Sequence, residues 1–138
     1  MTAAKPLYLP DFMTGILAAL AIKKIPALSL RGNRLDQAFA RLHKDIIQIA
    51  KETNLEVKFR IRLHPIHQDS TQLQQALYEA AQRDLVSLDN PEFQKIRLKI
   101  TASEAPAYLK GLPGSQEMYE QLANRLIDYY QENVEGTE

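Results

Sequence analysis

Val57-Lys58-Phe59-Arg60-Ile61-Arg62-Leu63 alternates apolar and basic side chains residue by residue, and Lys95-Ile96-Arg97-Leu98-Lys99-Ile100 repeats the pattern. On an extended chain successive side chains point to opposite faces, so each run carries one apolar face and one Lys/Arg face. The pattern predicts two strands of a small sheet with their apolar faces on the core. If both lie in one sheet, Lys58, Arg60, Arg62, Lys95, Arg97 and Lys99 share a surface. Like charges side by side on a sheet repel. Such a surface calls for a counter-charge from nucleic acid, a partner protein or the chain's own acidic end.

Outward from these runs the periodicity turns helical. Leu35, Ala38, Phe39, Leu42, Ile46 and Ile49 form one stripe of a helix predicted over 34–53, ended by Asn54, with Arg34, Gln37, Arg41, Lys44, Gln48 and Lys51 facing water. Upstream, Asp11 is expected to cap a helix reaching Lys24, closed by two lysines and Pro26, with apolar residues around most of its circumference. His64-Pro65 stops the first basic run because proline cannot continue a ladder. Asp69 and Ser70 offer caps for a helix to about Arg83, with Leu73, Ala76, Leu77 and Ala80 inward. A short β-like stretch over 84–88, a turn at Asp89-Asn90-Pro91-Glu92 and the second basic strand over 94–100 follow. A short helix over 101–109 is broken by Gly111-Leu112-Pro113-Gly114, and Ser115 caps a last helix reaching Gln131.

The 138 residues suffice for one domain with a real core. The expected organisation is an N-terminal arm over 1–10, a single α+β domain over 11–131 with several helices packed on a small, mostly antiparallel sheet, and an acidic tail over 132–138. There are no cysteines, which excludes thiol nucleophiles, disulfides and thiolate zinc sites. Lysine plus arginine equals aspartate plus glutamate at 17 each, but the balance is uneven: basic residues dominate before Asn54, acidic ones after Thr101. The most apolar window, 12–22, is shorter than the ~20 residues of a membrane span. An acid at its edge argues against a signal peptide despite Lys5 and the small residues Ala18, Ala19 and Ala21. These features imply a cytoplasmic protein, no membrane contact and a buried first helix. The first and last helices carry enough apolar surface to suggest a homodimer.

The order from Asp69 to Ile100 (helix, short strand, turn, returning strand) resembles the second half of a winged-helix domain. The resemblance makes Thr71 to Gln82 the recognition helix, Asp89 to Phe93 the wing tip and Val57 to Leu63 an additional strand. His64 to Asp69 is too short to hold the helix that usually precedes a recognition helix. The resemblance implies a non-enzymatic nucleic-acid-binding or regulatory protein, with DNA as partner. Lys58, Arg60, Arg62, Arg83, Lys95, Arg97 and Lys99 would meet phosphates. Gln72 and Gln75, in a helix that also holds Gln74 and Gln82, would lie nearest base edges, where glutamine suits adenine. An RNA-binding sheet is disfavoured because such sheets display aromatics, whereas Phe59 falls on an apolar face and Phe93 in a turn. The alternative is an accessory or adaptor subunit that binds another protein through the basic face or the apolar first helix.

Other candidate chemistry is sparser. His64, His67 and Asp69 are the one cluster with metal-ligand character, but Pro65 places them on an irregular loop and no further ligand is near in sequence, so no metal or other cofactor is expected. Arg31 and Arg34 flank Gly32-Asn33 at a helix start, where free N–H groups favour anions; an ordinary turn capped by Asn33 accounts for the same residues. Ser70, Ser103 and Ser115 have no partners at hydrolase spacing. Tyr129-Tyr130 belongs to a core or subunit seam.

Overall fold

A computed structural model describes residues 4–25, 27–29, 33–67, 69–88 and 95–135. Pro26, Arg31, Gly32, the Asp89–Glu92 turn, the wing tip through Phe93, the Lys95 side chain and the end of the acidic tail fall outside the described residues. Within them the chain runs β1 (Lys5–Leu7), α1 (Leu9–Ile22), β2 (Ala27–Ser29), α2 (Arg34–Thr53), β3 (Leu55–Val57), α3 (Thr71–Gln82), β4 (Val86–Ser87), β5 (Lys95–Leu98), α4 (Ala105–Lys110) and α5 (Gln116–Glu135). The protein is mixed α+β, with helices packed on a small sheet.

Helix α1 is the hub. Every residue from Phe12 to Ala21 is buried, and α3, α4 and α5 pack around it. It opens three residues earlier than the Asp11 cap implied: Tyr8 holds the extended N-cap position, and Pro10 sits in the first turn, where a missing N–H costs nothing. Asp11 remains in that turn, favourably placed against the helix dipole. Gly15 lets α5 come close, since a Cβ there would collide with the Tyr119 ring. Tyr119 is fully buried and donates its hydroxyl to the Pro113 carbonyl at 2.5 Å, while burial, with Asp11 nearby, pushes its pKa upward. The apolar circumference of α1 is covered by its own chain, so it needs no second copy and leaves no apolar face open to a partner.

Helix α2 buries Leu35, Ala38, Phe39, Leu42, Ile46 and Ala50 in the same core, packing chiefly on α5 and β3. Asn54, in the left-handed conformation at φ 57°, ends it and turns the chain straight into β3. Ser70 caps α3 by accepting the Leu73 N–H at 3.2 Å, and Ser115 caps α5 by accepting the Met118 N–H at 3.1 Å.

The strands form two sheets. β1 and β3 pair in parallel, with Lys5 opposite Leu55 and Leu7 opposite Val57. The other sheet is antiparallel with the order β2-β5-β4: Ala27 opposes Arg97, Ser29 opposes Lys95, and Val86 opposes Leu98. The two basic runs therefore belong to different sheets, contrary to the shared surface their likeness suggested. The first run is a strand only through Val57. The Lys58 N–H still reaches the Leu7 carbonyl at 2.9 Å, but Tyr8 then becomes the cap of α1 and the partner strand ends. Residues 58–64 continue without a ladder.

The segment expected as an N-terminal arm thus carries β1 and the first two residues of α1. Among the described residues, no helix is long and apolar enough to cross a membrane.

Candidate nucleic-acid interface

Both runs keep the alternation that the sequence announces. In the first, Val57, Phe59, Ile61 and Leu63 turn inward to varying depth, while Lys58, Arg60 and Arg62 are exposed. Phe59 packs its ring on Phe12 at 4.9 Å between centroids and on His43 at 5.7 Å, and its carbonyl lies 3.0 Å from His43 Nε2. Side-chain anchoring thus replaces the missing ladder. In the second run Ile96 is buried and Arg97 and Lys99 are exposed.

Several of the cations are partnered within the chain. Lys58 lies 2.8 Å from Glu56, whose hydrogen bond raises the lysine pKa. Lys99 pairs with Asp84, which sits in a left-handed turn at φ 66°. Arg83 donates Nη2 to the Thr14 hydroxyl at 3.0 Å and to the Pro10 carbonyl at 3.3 Å, tying the end of α3 to the start of α1. Arg60, Arg62 and Arg97 are the expected phosphate-contacting cations that are exposed and form no ion pair among the described residues.

The two glutamines singled out for base edges have different surroundings. Gln72 is half-buried, and its Oε1 accepts from the Ser70 hydroxyl at 3.1 Å and from the Arg62 N–H at 3.4 Å. It therefore fastens the first basic run to the first turn of α3. Gln75 is exposed, as are Thr71, Gln74, Tyr78 and Gln82, so the outer face of α3 is polar with one aromatic.

Beneath that face lies a feature that the sequence reading overlooked. Asp36, on the first turn of α2, is buried at 4% exposure and accepts the Ser70 N–H at 2.7 Å. Burial raises its carboxyl pKa against the opposing pull of hydrogen bonds from Ser70, its own backbone and Gln74, with nearby Asp69 adding to the rise. Asp36 lines a cavity of about 430 Å³ with Asn33, Leu73, Gln74, Leu77, Tyr78 and Leu88. The available signal was an acid inserted between Leu35 and Ala38, beside the apolar stripe of an otherwise regular amphipathic helix.

His64 and His67 stack at 4.6 Å between ring centroids, but His64 Nδ1 accepts the N–H groups of Ile66 and His67 at 3.2 and 3.1 Å. The His64 N–H also donates to the Asp69 carbonyl at 2.7 Å, so this nitrogen and this backbone close a turn. Among the described residues, no three His, Asp or Glu side chains converge as a metal site would require. Asn33 holds the N-cap position of α2 in a left-handed conformation and points its amide at the His67 carbonyl, 2.6 Å away, instead of capping the helix.

Helix α5 packs on α1 and α2. Its described ion pair runs opposite to the sense its acidity suggested: α5 supplies Arg125 and α2 supplies Asp45, at 3.3 Å. Tyr129 also bonds Asp45 and lies beneath the Arg41 guanidinium, while the Tyr130 hydroxyl receives the Ser29 N–H at 3.0 Å and Arg34 Nη2 at 3.3 Å. The tyrosine pair forms an internal α2–α5 seam that also reaches β2. Comparison of the chain with protein-family models, with curated proteins and with solved structures found no match.

Proposed function

We propose that this chain is a winged-helix-like nucleic-acid-binding protein that lays α3 against a DNA duplex. The observation that carries the reading is the chain path: α2, α3, then β4 and β5 as an antiparallel pair, with β2 joining β5 from the other side. The helix expected before a recognition helix is α2, with residues 54–70 inserted between the two. The third strand beside the hairpin is β2 in place of 57–63. The outer face of α3 also fits the role, because the exposed Gln75 and Gln82 offer paired donors and acceptors suited to adenine edges.

Arg62, fastened beside the first turn of α3, and Arg60 on the same outward side of its run supply phosphate contacts there. Arg97 supplies one from the hairpin. Lys58, Lys99 and Arg83 contribute less, because each already has a partner within the chain. About three phosphate contacts give a slope of log K against log salt near −3, shallow for a DNA-binding protein. The proposed binding unit is a single chain.

Fluorescence anisotropy on a mixed-sequence duplex tests the reading. Binding at about 50 mM salt should weaken with salt at that slope and disappear in Arg60→Glu combined with Arg97→Glu. Absence of binding at low salt, or binding indifferent to the double reversal, refutes it.

A further inference from the structure

The cavity beside Asp36 is distinct from the outward surface proposed to meet nucleic acid. Its volume of about 430 Å³ lies within the roughly 300–1,000 Å³ typical of small-molecule sites. Leu73 and Leu77 form its apolar floor, Leu88 a wall and Tyr78, 60% exposed, the rim. Asp36 is the one ionisable acid among the described lining residues, and no cation among the described residues bridges it. Its hydrogen bonds come from neutral groups, the Ser70 N–H, its own backbone N–H and the Gln74 amide. A carboxylate held at low exposure without a countercharge attracts a cation brought in with its own apolar body, because removal from water strengthens the attraction between the charges. An anionic ligand would meet repulsion at the same place. A neutral one would gain only the leucines.

We propose that this cavity is a binding site for small amphipathic amines, with the ligand's ammonium group on Asp36 and its apolar body against Leu73, Leu77 and Leu88 below the Tyr78 ring. The site does not depend on what α3 contacts. Its test uses the intact chain without nucleic acid, so failure of DNA binding leaves it standing.

The probe is 2-phenylethylamine, with 2-phenylethanol and phenylacetate as its neutral and anionic counterparts, followed by methyl and amide NMR titration. Saturable shifts confined to Leu73, Leu77, Leu88 and their neighbours are expected with the amine, about tenfold weaker binding with the alcohol, and none with the acid. Asp36→Asn, which keeps an acceptor for Ser70, should bring the amine down to the level of the alcohol. Leu88→Trp, which fills the cavity without altering its charge, should abolish binding of both. Should Asp36→Asn fail to fold, the ligand charge series and Leu88→Trp decide the matter. Equal binding of amine and alcohol overturns the proposal. So do amine shifts scattered over surface carboxylates, amine binding unchanged in a folded Asp36→Asn or Leu88→Trp protein, or no amine binding at 10 mM ligand.

Discussion

The runs at 57–63 and 95–100 share one alternation and meet different ends. The second becomes β5, flanked by β2 and β4 and hydrogen-bonded on both edges. The first pairs with β1 only as far as Lys58 and then continues without a ladder, held by Phe59 and Ile61 on the core side and by Gln72 at its far end. Alternation thus determines which side chains face inward. Whether a ladder forms depends on a neighbouring strand, and that is decided elsewhere in the chain, here by where α1 begins.

The largest effect should come from breaking the better-supported run. Ile96 is 1% exposed in the middle strand, so Ile96→Asp places a charge in the core at a cost above about 3 kcal/mol. Urea denaturation followed by circular dichroism should show little folded protein.

The weaker run is next. Ile61→Ala should cost about 2–4 kcal/mol by cavity formation. Hydrogen exchange then separates the two runs in the parent protein. The Ile96, Arg97 and Leu98 amides should exchange slower than those of Arg60, Ile61 and Leu63 by a factor of about 100 or more. Comparable protection in both runs would mean that 58–63 has found a strand partner after all.

A smaller effect, specific to the end of the first run, is expected from Asp36, which holds Ser70 and through it the start of α3. Its folded pKa is raised, so its contribution to stability is greatest below the unfolded value near 3.9 and is lost as pH rises through the folded value. Thermal melts from pH 4 to pH 7 should show that loss in the parent and a flatter profile in Asp36→Asn.

The smallest effects belong to the outward lysines. Lys58→Met and Lys99→Met each remove a solvent-exposed ion pair, one from each run, and should leave the urea unfolding midpoint nearly unchanged. Larger losses would show that the pairs hold the runs in place.

What was legible in the sequence follows the same division between local and distant causes. The helix at 34–53 and its stop at Asn54 could be read because a 3.6-residue stripe and a left-handed terminator are local signals. So could the caps at Ser70 and Ser115. The sheet membership of Lys58, Arg60 and Arg62 could not, because it depends on a strand about fifty residues away. The burial of α1 was legible, but what covers it was not: packing by α3, α4 and α5 looks, from sequence, the same as packing by a second copy. The site shows the same limit. Exposure of Arg60, Arg62 and Arg97 follows from alternation, whereas the engagement of Arg83 by Thr14 joins positions 69 residues apart. Asp36 was passed over because a lone acid near an apolar stripe reads as surface until α3 closes over it.

The parallel pairing of β1 with β3 also bears on the order of assembly. Bringing Lys5 beside Leu55 closes a loop of about 50 residues, at an entropic cost near 3.5 kcal/mol, (3/2)RT ln n, before any contact repays it. The intervening α1 and α2 shorten that span once formed, so the pairing is expected to close after them and to be among the first to open. A stopped-flow probe on β1 should therefore lag one on α2 during refolding. Removing residues 1–7 should speed the opening of 55–63 while leaving the α1–α5 contact at Gly15 intact.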